Sequence, residues 1–391
     1  MTRSEEMLSV LKGAVPRRPL FAPRIDIWYN YHFRNNSLPA GCIGKDIAGI
    51  SAMLNAGLHS VIPDFTAGGR KGYTHRALGF FDHPEIPWKA DFSGVDYSVD
   101  DNGTILKVRY ETSLGPVFTS ITLDDDFFNS GRSIPDITDY AVNKPGDYCR
   151  IAEIFKKVKI TPRPDRYTMQ RNRVGNLGLA VAFISLAAGP YQHLMRDIRK
   201  MSDFYLDMYD CPELIDEAAE PLAEIYNALL ESGRLSGAEV VLFGANYDEA
   251  LTPPPLFTPK IKPWLQRAGT VLHQSGQLLL THTDGENAGL MQEYTECGFD
   301  IADSVCPSPM TRLSLGEYRA AFAGKTAIWG GIPSSLLVPG AYPEDFFRRE
   351  FTEIVNSAKP WDRLIFSIAD TLPPDADFNR LLYIAETLDK V

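Results

Sequence analysis

His282 and Asp284, two residues apart in QLLLTHTDGEN, and Cys306, closing the run DIADSVC, form the sharpest chemical group in this sequence. A neutral imidazole and a thiolate are both good zinc ligands, and Asp284 adds an oxygen, leaving a position open for substrate. A zinc ion held in this way activates a thiol by keeping it as thiolate, or polarises a leaving group. The same residues also read as a small buried apolar cysteine and a histidine that acts as an acid or binds an anion. Asp26, Asp64, Asp248 and Asp370 close other apolar runs. Aspartate often follows a strand as a helix cap or turn residue, but this many carboxylates in one cleft call for a metal, a cationic substrate or Arg24. The expected catalytic groups are Asp26, Asp248, His282 and Asp284, and the expected metal ligands are His282, Asp284 and Cys306. Arg24, Trp28, Tyr29, His32, Asn246, Tyr247, Gly331, Ser334 and Asp370 are the expected substrate contacts.

These residues can act together only if the chain gathers them. Eight apolar runs, each too short for a helix, end near Asp26, Asp64, Ser185, Asp248, His282, Cys306, Gly331 and Asp370. Helical spacing separates most of them, so the pattern predicts an α/β chain, a single (β/α)8 TIM barrel with its strand ends gathered on one face. The rhythm fails once, at about 95–124, where VDYSVD and TILKVRYET flank Asp101-Asn102-Gly103 and LGPVFTSITLD follows. That is a hairpin signal, and it predicts a small antiparallel β insertion after the second strand. The segment YNYHFRNN reads as a loop, in which Tyr29, Tyr31, His32 and Arg34 line a pocket or simply pack. Ile160 to Arg173, with its prolines and charges, reads as a connection. Gly330-Gly331, ahead of Pro333-Ser334-Ser335, offers backbone amides to a carboxylate or phosphate, or makes a plain turn.

The chain has 391 residues, 44% hydrophobic and 23% charged, enough for a large core and one barrel domain over 1–391. A net charge of −11 excludes a sequence-independent nucleic-acid surface, which needs a clustered basic face. There is no apolar run of about 18 residues, and MTRSEEMLSVLKG lacks the apolar core of a signal peptide. A cytoplasmic protein without membrane or nucleic-acid partners is expected. The five cysteines are scattered and form no CxxC pair, which argues against a disulfide framework or a four-cysteine zinc site. Walker A, Rossmann and HExxH motifs are absent.

The ordered set SEEMLSVLKGAVPRRPLFAP, FYLDMYDCPELIDEAAEPL, GANYDEALTPPPLFTPKIKPWLQR, HTDGEN, ECGFDIADSV and IWGGIPSS resembles the uroporphyrinogen decarboxylase superfamily. That superfamily contains the decarboxylase and the cobalamin-linked methyltransferases, and the resemblance implies a barrel with its site at the C-terminal strand ends. The decarboxylase proper carries an arginine-rich RQAGR-type signature after its first strand, to grip the propionates of a tetrapyrrole. Here the similar place reads RIDIWYNYHF, with Arg24 and Arg34 as the nearby cations, so the resemblance leans to the methyltransferase branch. That branch implies zinc held by a His-x-Cys pair and a later Cys. His282 matches the His, Asp284 stands at the Cys position, Gly331-Ile332 lies near the later Cys, and Cys306 sits on the intervening strand.

The implied activity moves a methyl group between a small methoxylated or methylamine substrate and methylcobalamin carried by a partner corrinoid protein, with zinc assisting. The protein itself is expected as a monomer or homodimer. Trp28, Tyr29, Tyr31 and Tyr247 suit an apolar or cationic substrate. Two other readings stand beside this one. One is a metal-free decarboxylase of a small carboxylic acid, with Asp26 and His282 handling protons. The other is a non-catalytic barrel that binds a tetrapyrrole or corrinoid.

Overall fold

The computed structural model describes residues 1–391. Eight parallel strands make one curled sheet: β1 Leu20–Phe21, β2 Leu58–Ser60, β3 Gly178–Ser185, β4 Val240–Ala245, β5 Leu278–His282, β6 Ile301–Asp303, β7 Ala327–Pro333 and β8 Leu364–Ala369. Their order is β1-β8-β7-β6-β5-β4-β3-β2, so nearly every strand lies beside its neighbours in the chain. No ladder joins β1 to β2; a single backbone hydrogen bond, from Gly57 N–H to Phe21 O at 2.7 Å, spans the gap. The architecture is therefore TIM-barrel-like, a curled open sheet where the sequence predicts a closed barrel. β1 and β2 form ladders only on their other sides, with β8 and β3.

The longer strands are apolar along their whole length because both faces are covered. VVLFGA in β4, AIWGGIP in β7 and LIFSIA in β8 are buried at every position, as expected of parallel strands between helices. Helix Pro212–Leu235 covers β3 with Ile215, Leu222, Ile225 and Leu229, spaced along one helical face. Four strands stop earlier than the sequence suggests. β1 ends at Phe21, β2 at Ser60, β4 at Ala245 rather than Asp248, and β6 at Asp303 rather than Cys306. Register does the rest: Ala245 pairs with His282, His282 with Asp303, and Asp303 with Trp329, aligning these residues across one edge of the sheet.

The run expected as a loop after β1 is a helix, Asp26–Arg34. Few of its side chains are buried, so no apolar period marks it, yet Asp26 in the first turn and His32 and Arg34 in the last suit the helix dipole. Ile160 to Arg173 is also structured. Lys159–Pro162 pairs with Trp88–Asp91, and helix Pro164–Val174 follows with a proline in its first turn, where proline favours a helix. No helix is long and apolar enough to cross a membrane.

The insertion is larger than predicted. Tyr97–Asp101, Ile105–Tyr110, Val117–Thr122 and Ile137–Asp139 form a four-stranded antiparallel sheet. The expected turn is present: Asn102 Oδ1 accepts from the amides of Thr104 and Ile105, and Gly103 takes φ of 89°. Leu106, Val108 and Tyr110 point inward in alternation. Tyr110 Oη lies 2.9 Å from Nδ1 of His75, whose ring stacks on Phe92 at 3.6 Å. Burial pulls the His75 pKa down to about 4. Unfolding at acid pH thus takes up a proton that the folded state excludes. His75 favours the fold fully above pH 6.5, and that contribution falls away as pH drops toward 4. The expected loss is about 2–3 kcal/mol. Urea midpoints measured at pH 7 and pH 4.5 should fall less for His75→Gln than for the native chain; parallel falls would refute the assignment.

Candidate metal centre

His282 is the last residue of β5, and its side chain is 2% exposed. Its Nδ1 lies 2.6 Å from Oδ2 of Asp303, the residue opposite it at the end of β6. Its Nε2 lies 2.9 Å from Oδ1 of Asp370, which follows β8. The same Asp370 oxygen accepts from Nη1 of Arg24 at 2.6 Å, and Arg24 Nε donates to Asp26 Oδ1 at 3.1 Å. On the other side, Asp303 Oδ1 lies 3.6 Å from Nε2 of His59, on β2. A chain of alternating charge-bearing groups, His59, Asp303, His282, Asp370, Arg24 and Asp26, therefore crosses the end of the sheet.

This arrangement sets the electrostatics. Burial disfavours a charged His282, but Asp370 and Asp303 outweigh it and lift its pKa to about 10. Burial also works against the Asp303 carboxylate, while hydrogen bonds from His282 and His59 pull its pKa down to about 2. Asp370 behaves likewise: Arg24 and His282 overcome burial and hold it well below the usual carboxylate range. Asp284, half-buried beside them, has no such partner. Burial and then the charge of Asp370 raise its pKa to about 6, with His282 and Arg24 opposing.

Nε2 of His282 and carboxylate oxygens of Asp284 and Asp370 all lie within 4.8 Å of one another, a group able to hold a metal ion. One nitrogen with carboxylate oxygens suits zinc or another borderline divalent ion, and three protein ligands leave a position for substrate. Asp303 completes the fit, because a ligating histidine usually gives its other ring N–H to a carboxylate. The carboxylates of Asp26, Asp284, Asp303 and Asp370 outnumber the nearby Arg24, His282 and His59, so a divalent cation in place of the His282 proton would reduce the negative excess.

The third member of the trio is Asp370, where the sequence suggests Cys306. Cys306 lies beyond the end of β6, and its thiol contacts Sδ of Met310 at 3.6 Å. Burial, with the charges of Asp284, Asp370 and Glu286, pushes its pKa up and keeps the thiol protonated. Asp370, expected as a substrate contact, instead bonds His282 and Arg24.

The other expected contacts fall into two groups. Asn246 is exposed just past β4, with its amide N–H on His282 O at 2.8 Å, and Tyr29 is half-buried. The rest are engaged in structure. Asp248 accepts from the amides of Ala250 and Glu286, shaping the turns after β4 and β5. Tyr247 is buried, with its hydroxyl on Thr281. Trp28 is buried and stacks on Phe378 at 5.0 Å. Both ring nitrogens of His32 are occupied, by Ser37 Oγ and Pro374 O. The Gly331 amide donates to Val305 O, so it is not free to bind an anion, and a Cβ on Gly330 would meet the Val305 backbone. Ser334 Oγ contacts Met310 Sδ at 3.4 Å.

Asp303 and His59 were not singled out from sequence. Each lies inside a run read only for its apolar residues, and the available signal was a charged or polar residue where the barrel interior favours aliphatic ones.

Comparison with known proteins agrees with this geometry at the level of fold. The structure is similar to that of a methyltransferase from Methanosarcina mazei, with a TM-score of 0.55 over 100% of this chain and 99% of that one, at 13% sequence identity. No curated protein matches the sequence. The sequence model described as uroporphyrinogen decarboxylase (URO-D) matches residues 107–391, well over half of the chain, and the chain therefore belongs to the uroporphyrinogen decarboxylase family.

Proposed function

We propose that the protein is a metal-assisted, corrinoid-linked methyltransferase that demethylates a small methoxylated or methylamine substrate. The observation that carries this reading is the convergence of His282 and Asp284, at the end of β5, with Asp370, at the end of β8. Family membership and a fold shared with a protein titled a methyltransferase are in keeping with it. A bound zinc ion supplies a Lewis acid for the oxygen or nitrogen that loses its methyl group. Asp303 holds the Nδ1–H of His282, which turns Nε2 toward the cation site, and Arg24 holds Asp370 in place. Asp284 would bind the cation as a carboxylate, giving up the proton that burial and the charge of Asp370 let it hold up to about pH 6 in the metal-free site. The bond from the methyl carbon to that oxygen or nitrogen would break as the cob(I)alamin of a partner protein takes up the methyl group, and the released oxygen or nitrogen would take a proton from water. Asn246, exposed beside β5, offers its amide to the substrate.

One observation favours a second reading. Two carboxylates hold His282 as an imidazolium with a pKa of about 10, which makes it a proton donor without any metal. In that case the protein is a decarboxylase of a small carboxylic acid, with Asp26 serving the second proton.

Elemental analysis of zinc-supplemented protein, paired with a spectral assay, separates the two. The methyltransferase reading expects about one zinc per chain, and conversion of cob(I)alamin to methylcobalamin with methoxylated or methylamine substrates. Absence of both would sink it, and carbon dioxide release from small acids would then support the second reading.

A further inference from the structure

Arg76 and Arg196 meet in a small cavity beside the end of β3, bordered by none of the residues of the metal centre. The short helix Pro190–His193 runs into a π-helical turn, Leu194–Ile198, a wider turn that often marks functional positions. Arg196 and Asp197, both on this turn, line the cavity with Arg76, Phe81, Phe183 and Ser185. It measures about 20 Å³, room for one water molecule or the end of a small ligand.

Charge in this cavity does not balance. Arg76 Nη1 pairs with Asp197 Oδ1 at 2.6 Å. Arg196 has no ion pair; its Nη1 donates to the carbonyls of Leu186 at 3.0 Å and Ala245 at 3.2 Å. Nε of Arg76 is buried without an acceptor, on a residue only 9% exposed. His193, which also borders the space, contributes no negative charge, because its ring bonds Tyr226 Oη and Leu78 O. Two guanidiniums facing one carboxylate leave one positive charge without a counter-charge, and half-buried Arg196 is open to an anion entering from outside. Burial pulls the Arg196 pKa down, Asp197 opposing and Arg76 adding to the fall.

We propose that this cavity is a binding subsite for a small monocarboxylate, held by Arg196 and by the free Nε of Arg76. A guanidinium fork matches a carboxylate in shape and charge. The excess of a single positive charge and the small volume disfavour a phosphate. Ala245, whose carbonyl accepts from Arg196, pairs with His282, so one strand, β4, separates the subsite from the strand that carries His282. The subsite rests on residues outside the proposed reaction and stands or falls independently of methyl transfer.

The test titrates the full-length protein with sodium formate and sodium acetate, against sodium chloride at equal ionic strength, by calorimetry and by the midpoint of thermal unfolding. Formate and acetate should saturate one site per chain and raise the midpoint, while chloride should not. Arg196→Gln leaves the Arg76–Asp197 pair intact and should weaken formate binding by about tenfold or more. Arg196→Lys keeps the charge without the fork and should give an intermediate loss. No formate binding to the native protein, binding matched by chloride, or binding undiminished in Arg196→Gln would each overturn the proposal. If Arg196→Gln fails to fold, the native titration and Arg196→Lys still decide: an undiminished Arg196→Lys would show that the fork plays no part.

Discussion

His282→Ala is expected to lose bound zinc and at least about a hundredfold in turnover, because the Lewis acid and the histidine leave together. Asp370→Ala and Asp284→Ala should weaken the metal as well. Cys306→Ala should keep it within about threefold, since that thiol contacts Met310 and is not one of the three clustered ligands. Zinc analysis of the four variants after dialysis against a weak chelator reads this directly. Loss of metal in Cys306→Ala with retention in Asp370→Ala would reverse the ligand assignment. A pH titration of affinity adds a second check. The metal must displace the proton that His282 carries up to a pKa of about 10. Apparent affinity should therefore rise about tenfold per pH unit between about pH 6 and 10, and more steeply below the Asp284 pKa of about 6, where a second proton must leave. An affinity that does not change from pH 6 to 9 would show that Nε2 of His282 is not a ligand.

Asp303→Asn should be the most damaging single change to the fold at this site. The carboxylate is buried between His282 at 2.6 Å and His59 at 3.6 Å. Removing one partner of a buried charged pair typically costs about 3–5 kcal/mol. The substitution keeps the shape of the side chain, so the effect isolates the charge. Metal affinity should fall by about 10–100-fold through loss of the group that orients His282. The pH dependence of the metal-free protein gives the sign. The His282 pKa is raised on folding, so its contribution is complete below about pH 6.5 and is lost as pH rises through about 10. Asp303 is depressed on folding, so its contribution is complete above about pH 3.8 and is lost as pH falls through about 2. In Asp303→Asn both limbs should shrink, as read from urea midpoints across pH. Alkaline sensitivity equal to that of the native chain would mean that Asp303 does not sustain the His282 charge.

What the sequence determined by itself was the succession of eight strands, most of the helices between them and the hairpin. Short runs with two buried faces must be continuously apolar, which is why β4, β7 and β8 were legible from composition alone. Asp101-Asn102-Gly103 announced the hairpin because its turn needs a residue at positive φ and a side chain that caps its own backbone. His282 and Asp284 stood out for the same reason, as reactive side chains where an apolar run stops. Asp26–Arg34 was missed because a helix with only Trp28 and Asn30 buried leaves no apolar period to read. The partners of His282 were decided only in three dimensions. Asp303 faces it through the register of β5 with β6, and Asp370 and Arg24 arrive because β8 lies beside β1 in the sheet. Spacing along the chain suggested Cys306, but its thiol contacts Met310 and is not among the clustered ligands, while a carboxylate far away in sequence reaches the imidazole. Residue pattern reports local dihedral preference and burial; which strand ends meet depends on strand order, register and twist, and these arise only when the whole sheet curls around its core.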